Sequence, residues 1–279
     1  MLGRFGKDAG SLLGVEIASD SVRIIQLQGC RRRHRVAACI SEPLSSDGAA
    51  GDPDSVVAAL ENALRRCGSR QRRAALALPG SQVIFKHCQL PQGLGASGLE
   101  AQLLADAERL FPFPLDDLAL DFQVLGASGE RDGHQDVLVA ACRQRALEPV
   151  ERMVARAGLD LVAVEVDSIA LRRAMPTRAE GDQALLRLEG GDAILYGWSR
   201  DQVPQRHALE LAPGAVGIPS SLVLQSLQVV GRQALTPDRL DALSATLGVP
   251  CHALPAMPGM TRGDGTMVLA YALALGGLH

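Results

Sequence analysis

The chain alternates short apolar runs with turn-forming residues. Residues 12–18 are apolar or small apart from Glu16, Ser19-Asp20-Ser21 supply a turn, and residues 22–27 form a second, largely apolar run. That pattern predicts a β-hairpin. Residues 34–40 predict a third strand, reached through Arg31-Arg32-Arg33. Asp52-Pro53 then opens a helix, with Asp52 as N-cap and Pro53 at the first helical position, and Val56, Val57, Leu60 and Leu64 recur at helical spacing. Residues 74–78 predict a strand closed by Pro79-Gly80.

Residues 83–90 read as a further strand. Ser97, with Glu100 three residues on, has the form of a capping box. The helix it opens puts Leu99, Leu103, Ala107 and Leu110 on one face until Phe111-Pro112-Phe113-Pro114 stops it. Leu118, Leu120, Phe122 and Val124 alternate as in a half-buried strand. Strands over 136–142 and 161–166 flank a helix over 147–157 that ends at Gly158, and Asp167 caps a helix to residue 174. The segment 175–182, with Pro176 and Gly181, marks a lobe boundary. Beyond it the pattern predicts strands at 184–188, 193–198 and 207–211, and a helix over 220–229. A helix opened by Thr236-Pro237 and ended at Gly248, a strand at 249–253 and a final helix at 266–275 complete the chain. Each half opens with strands and turns to helices, which predicts two related α/β halves.

Composition narrows the class. With 279 residues, 47% hydrophobic and 21% charged, the chain is long enough for two lobes and too apolar to be disordered. Only 3% of residues are aromatic, so the core rests on Leu, Val, Ile and Ala. A net charge of −3 argues against a dedicated nucleic-acid binder. Residues 1–10, with Arg4, Lys7 and Asp8 and no apolar core, do not read as a secretory signal. Cysteines 30, 39, 67, 88, 142 and 251 are therefore expected as reduced thiols, and no Cys-x-x-Cys pair suggests zinc. The longest apolar run, 267–278, is about half of the ~20 residues a membrane span needs. No local motif suggests a Ser-His-Asp set, and His87 and Cys88, adjacent on a strand, face opposite ways.

Two features carry candidate chemistry. The hairpin places an acid, Glu16, before the small turn residues Ala18, Ser19 and Asp20. Such a turn can cradle a phosphate on its N–H groups while the acid holds Mg²⁺ through water, although an ordinary hairpin accounts for the same residues. The run Arg31-Arg32-Arg33-His34-Arg35, with Arg65, Arg66, Arg70, Arg72 and Arg73, reads either as a solvated face or as a patch for anionic lipid headgroups. No stacking aromatics are interleaved with it, as a single-stranded nucleic-acid site would require.

The hairpin resembles the first phosphate loop of the actin-like ATPase superfamily. Further stretches narrow the likeness: Ala77-Leu78-Pro79-Gly80-Ser81, Phe111-Pro112-Phe113-Pro114-Leu115-Asp116-Asp117, then Leu120-Asp121-Phe122-Gln123-Val124-Leu125-Gly126, Val137-Leu138-Val139-Ala140-Ala141 and Ala157-Gly158-Leu159-Asp160-Leu161-Val162-Ala163-Val164-Glu165-Val166-Asp167. In this order and spacing they resemble the PilM family of type IV pilus assembly proteins over about residues 12–174. The resemblance implies an α/β, actin-like (ribonuclease H-like) fold of two lobes. The first lobe takes residues 1–175, with a small inserted subdomain at about 83–142, and a reduced second lobe takes 182–279, its last helix packing back on the first. It also implies a cytoplasmic protein peripheral to the inner membrane. Its partner would be the N-terminal cytoplasmic tail of a PilN-like membrane protein, held in a groove between the inserted subdomain and the first, where Phe111, Pro112, Phe113, Pro114 and Leu115 are the expected wall. Core packing between subdomains accounts for the same phenylalanines. The complex would couple motor ATPases to the inner-membrane platform of the pilus.

The nucleotide motifs depart from the family. Glu16 stands where it has Asp, Ala18 where it has Gly, and Arg187, before Gly190, where its second motif has Asp. Gly231 keeps one glycine of a Gly-Gly pair that contacts adenosine, and the intervening chain is shorter than in the family. Glu16, Ala18, Ser19, Asp20, Arg187, Gly190 and Gly231 therefore form a vestigial nucleotide site. Binding of ATP with Mg²⁺ stays open, because Arg187 can pair with a phosphate, while hydrolysis is not expected. The alternatives are a working actin-family ATPase or small-molecule kinase, and the cytoplasmic actin-like component of a type II secretion system.

Overall fold

The first hairpin closes on itself. β1 (Leu13–Ile17) pairs antiparallel with β2 (Ser21–Cys30), and the Ala18 N–H donates to Ser21 O at 2.9 Å across the turn. β3 (Arg33–Pro43) extends the ladder. The structure is a computed structural model that describes residues 11–45, 52–176, 181–189, 191–199, 203–211, 218–260 and 265–278. Asp52 caps α1 (Pro53–Cys67), its carboxylate accepting from the N–H groups of Asp54 and Ser55, and Gly68 ends the helix in the left-handed conformation. The chain then enters β4 (Arg73–Leu78), parallel to β1.

An inserted unit follows. β5 (Ile84–Pro91), α2 (Ala96–Ala105), α3 (Ala107–Leu110), β6 (Leu118–Ala127) and β7 (His134–Arg143) form a three-stranded antiparallel sheet of order β5-β7-β6 with two helical pieces. Two local expectations change here. Gly95, not Ser97, is the N-cap, and no side chain caps the helix, because the backbone turns helical at Ala96 and leaves Ser97 inside the first turn. The single helix expected to Leu110 is broken at Asp106. α4 (Gln144–Arg156) leads back to β8 (Asp160–Val166), parallel to β4, and α5 (Asp167–Arg172) follows, with Asp167 as its first residue.

The second half repeats this plan without the insertion. β9 (Gln183–Glu189), β10 (Asp192–Trp198) and β11 (Gln205–Leu209) form an antiparallel meander. β12 (Leu227–Gly231) adds parallel to β9, Thr236 caps α6 (Pro237–Leu247), and β13 (Cys251–Ala253) adds parallel to β12. The sheets therefore share one topology: β3-β2-β1-β4-β8 and β11-β10-β9-β12-β13. The helix expected over 220–229 is not there, since residues 227–231 are the fully buried interior strand β12. A short run rich in valine reads equally as buried helix or buried parallel strand.

The last helix, α7 (Val268–Gly276), is apolar on every side because it is enclosed on every side. It fills the space between the sheets with α5, against Leu12, Ile25 and Leu27 of the first half and Leu185, Tyr196 and Trp198 of the second. Gly14 makes this possible: a Cβ there would stand 1.9 Å from Ala270 O. α1 and α4 cover the outer face of the first sheet, and α6 covers that of the second. Among the described residues no helix is long and apolar enough to cross a membrane.

Candidate functional site

The cleft between the two sheets collects charge at the turns of β1–β2 and β9–β10. Glu16 at the end of β1 is 4% exposed, Arg23 of β2 is 1% and Arg187 of β9 is 7%. Arg187 donates from Nη2 to Glu16 Oε1 and, at 2.9 Å, to Glu189 Oε2. Arg23 donates from Nη1 to Glu189 Oε1 at 2.7 Å and lies 3.5 Å from Glu16 Oε1. Two guanidinium groups and two carboxylates thus form a closed ring that spans both halves. Burial works against the Arg187 charge, and the Glu16 and Glu189 carboxylates more than restore it, holding its pKa above the ordinary arginine range.

The rest of the expected nucleotide site is engaged by the chain itself. Asp20, exposed in the turn, pairs with Arg232 just after β12, accepts the Ser21 hydroxyl at 2.8 Å and lies 3.5 Å from Arg23. Ala18 is half-buried, with its N–H spent on Ser21 O, and Ser19 is exposed. Gly231 ends β12, and the 3-10 turn Gly265–Met267 lies directly on it: a Cβ on Gly265 would stand 3.0 Å from Gly231 N. Gly190 lies outside the described residues. The structure thus brings Glu16 and Arg187 together, with Asp20 joined to Glu16 through Arg23.

A second tie crosses the same cleft. The Asp167 carboxylate accepts from Gly80 N–H at 2.9 Å, Ser168 N–H at 2.7 Å and Tyr196 O–H at 3.0 Å, and Arg206 lies 3.5 Å away. Burial pushes the Asp167 carboxyl up despite these donors, and pushes the Tyr196 hydroxyl up as well. Trp198 adds a bond from Nε1 to Ser168 O at 2.9 Å.

A separate groove opens between the three-stranded sheet and the edge of the first large sheet. Phe85, Leu138 and Ala140 form one wall, and Val164, Val166 and Ile169 of β8 and α5 form the other. Asp121, Gln123, Glu165 and Arg173 are its polar lining. Strand register explains the first wall: Phe85, Ala140 and Asp121 stand in one cross-strand row, and Leu138 and Gln123 in the next. Alternate residues face the other side, where Val137, Val139 and Ala141 pack on Leu99, Leu103 and Phe111 of the insertion's own core. β8 is the last strand of its sheet.

None of the expected wall residues 111–115 lines this groove. Phe111 is 3% exposed inside that core, and Phe113 packs against the same cluster with the Arg143 guanidinium 4.9 Å from its ring centre. Pro112, Pro114 and Leu115 are exposed. The motif folds the insertion, and the groove lies behind the sheet it supports.

Comparison with known proteins now decides the family. A family model described as type IV pilus assembly protein PilM matches residues 14–182, more than half of the chain. The chain belongs to the PilM family. Among solved structures, it is similar to one from a PilM–PilN type IV pilus biogenesis complex, with TM-score 0.69 and 19% identity over 96% of this chain and 98% of that one. It is also similar to the cytoplasmic domain of EpsL, an inner membrane component of the type II secretion system of Vibrio cholerae, with TM-score 0.51 and 15% identity over 94% of each chain. The ethanolamine utilization protein EutJ from Carboxydothermus hydrogenoformans gives TM-score 0.50 and 13% identity over 95% and 89%. At these identities the structures establish the fold, which is actin-like.

Against this PilM-family frame, several participants escaped the sequence reading. Arg23, Glu189 and Arg232 were not recognised as site residues. Arg23 carried a signal, being a charge inside an apolar strand directly opposite Glu16 in the hairpin register. The groove residues Phe85, Leu138, Ala140, Val164 and Ile169 carried none beyond strand alternation. Of the basic run, Arg31, Arg32, Arg33 and Arg35 are exposed around the β2–β3 turn, as are Arg65, Arg66, Arg70 and Arg72 elsewhere, with Arg66 paired to Glu42.

Proposed function

We propose that this PilM-family protein is a non-catalytic adaptor of type IV pilus assembly. It binds the N-terminal cytoplasmic tail of a PilN-like inner-membrane protein in the groove between the three-stranded sheet and β8–α5. The groove carries the reading: it is apolar, open, and bordered by an edge strand to which an extended tail can add backbone hydrogen bonds while its side chains enter pockets. Residence in the cytoplasm beside the pilus platform of the inner membrane follows from such a partner. The exposed arginines at the β2–β3 turn suit an anionic membrane surface, each adding about 1 kcal/mol when close to it.

The cleft supports an adaptor without ATP turnover. The donor set does not fit a Mg²⁺–nucleotide. Glu16, the metal-side acid, gives Oε1 to Arg187 and Arg23 and keeps only a buried Oε2 without a partner, the Ala18 N–H is spent within its own turn, and Gly231 is covered by residues 265–267. A cation at Arg187 also repels the Mg²⁺ that an acid would hold.

Titration calorimetry with a synthetic peptide of the cognate tail tests the reading. Saturable binding is expected, and L138D should abolish it while leaving the melting profile of the protein intact. No heat at high concentrations of protein and tail would sink the proposal.

A further inference from the structure

Glu165 is the least expected residue of the groove. It sits on β8 between two valines, is 2% exposed, and lines the groove. Its Oε2 accepts from Arg173 Nη1, and its Oε1 has no hydrogen-bond partner. A buried carboxylate oxygen without a donor is expensive, and native proteins rarely keep one without a purpose. Here the carboxylate stands in the wall of an open groove, so a donor can arrive from outside.

Charge indicates which donor. The residues lining the groove include two acids, Asp121 and Glu165, and one base, Arg173. Arg173 is engaged with Glu165, and Asp121 faces the groove from the opposite wall, in register with Ala140 and Phe85. A cationic side chain entering between these walls meets the unspent Glu165 oxygen and makes a charge-assisted hydrogen bond with it, whereas an acidic one is repelled by the same carboxylate. The apolar residues around it suit the neighbouring side chains of the same extended segment.

We infer that the groove holds an acidic subsite centred on Glu165, which takes a lysine or arginine of an otherwise apolar, extended partner segment. This rests on the groove being the partner site, as proposed above. Glu165 acts there as a specificity residue: it selects a segment with a basic side chain in register with β8, while the apolar walls supply most of the contact area.

The test is a two-by-two titration. The probes are the synthetic cognate tail peptide and copies in which each Lys or Arg is replaced in turn by Met. The proteins are the wild type and E165Q, which keeps an oxygen to accept from Arg173 and removes the charge. One Lys→Met or Arg→Met copy should bind the wild type at least tenfold more weakly than the native peptide. E165Q should weaken the native peptide by a similar factor and leave that copy unaffected. The peptide-side comparison uses wild-type protein only, so it stands even if E165Q folds poorly. Equal binding of every copy to the wild type overturns the subsite while leaving the groove reading intact. A tail with no lysine or arginine in its bound segment overturns it equally. Failure of every peptide to bind sinks the groove reading, and the subsite with it.

Discussion

At the scale of single residues, the cleft ring makes the sharpest claim. Arg187 touches Glu16, which is buried with it, and the half-buried Glu189. Removing one partner of a buried pair leaves an uncompensated charge, which costs about 3 kcal/mol. R187M should therefore destabilise by about that amount, at the low end because Arg23 still stands beside both acids. Adding E16Q should recover at least about 1 kcal/mol, since residues of one network do not act additively. Urea denaturation of the two singles and the double measures both numbers, and a neutral R187M would remove the ring as a tie between the halves. Asp167 makes a pH prediction. Its carboxyl is pushed up by burial, so the native state holds that proton more tightly than the unfolded chain. Its contribution is then most favourable below the unfolded pKa of about 4 and declines as pH rises through the folded value. D167N, which cannot ionise, should lose less relative to wild type at pH 8 than at pH 5 in parallel melts. The residue types at Glu16 and Arg187 were legible in the sequence as departures. Their mutual pairing was not, because it joins positions in different halves that only the fold brings together.

At the scale of elements, the apolar pattern gave position more reliably than type. Strands with alternation or hairpin turns, and helices with an Asp52 or Thr236 cap, were readable because the caps satisfy particular N–H groups. β12 was misread because a strand paired on both sides and buried on both faces shows no period of two. Of the two readings the sequence offers for Phe111, groove wall and core packing, its burial among Leu99, Leu103 and Val139 agrees with core packing. F111A should cost about 3–5 kcal/mol, the range for a buried phenylalanine, and loosen the three-stranded sheet. L138D, on the other face, should instead remove tail binding. Hydrogen exchange across residues 84–143 separates the two outcomes. α7 gives the most demanding packing test. G14A drives a methyl group into the Ala270 carbonyl, backbone against backbone, so no rotamer can relieve it. A loss of more than about 2 kcal/mol is expected, within the range of overpacked cores, and a melt unchanged by G14A would contradict the close approach of β1 and α7.

For the whole molecule, the question is what holds the two halves in register. In an actin-like fold that works on ATP, the nucleotide lies between the halves and can bind them together. Here the same space carries the Glu16–Arg187–Glu189–Arg23 ring, the Asp167–Tyr196 bond and the buried helix α7, all supplied by the chain. On the proposed adaptor reading, a protein closed by its own residues gains little from a nucleotide and presents a fixed groove elsewhere. Thermal melts with saturating Mg-ATP and with tail peptide separate the two ligands. A ligand at ~100 times its Kd adds about 2.7 kcal/mol to stability. For a chain near this size each kcal/mol moves the midpoint by roughly 2–4 °C, so a bound ligand should raise it by more than about 5 °C. The peptide should produce that shift and millimolar Mg-ATP should not. A shift with Mg-ATP in the wild type would mean that Arg187 receives a phosphate after all, and the ring would then be a gate that ATP opens. In that event R187M should abolish the ATP shift and keep the peptide shift. If R187M leaves both shifts in place, the ring neither replaces the nucleotide nor receives it, and closure of the cleft must rest on α7 and Asp167 alone.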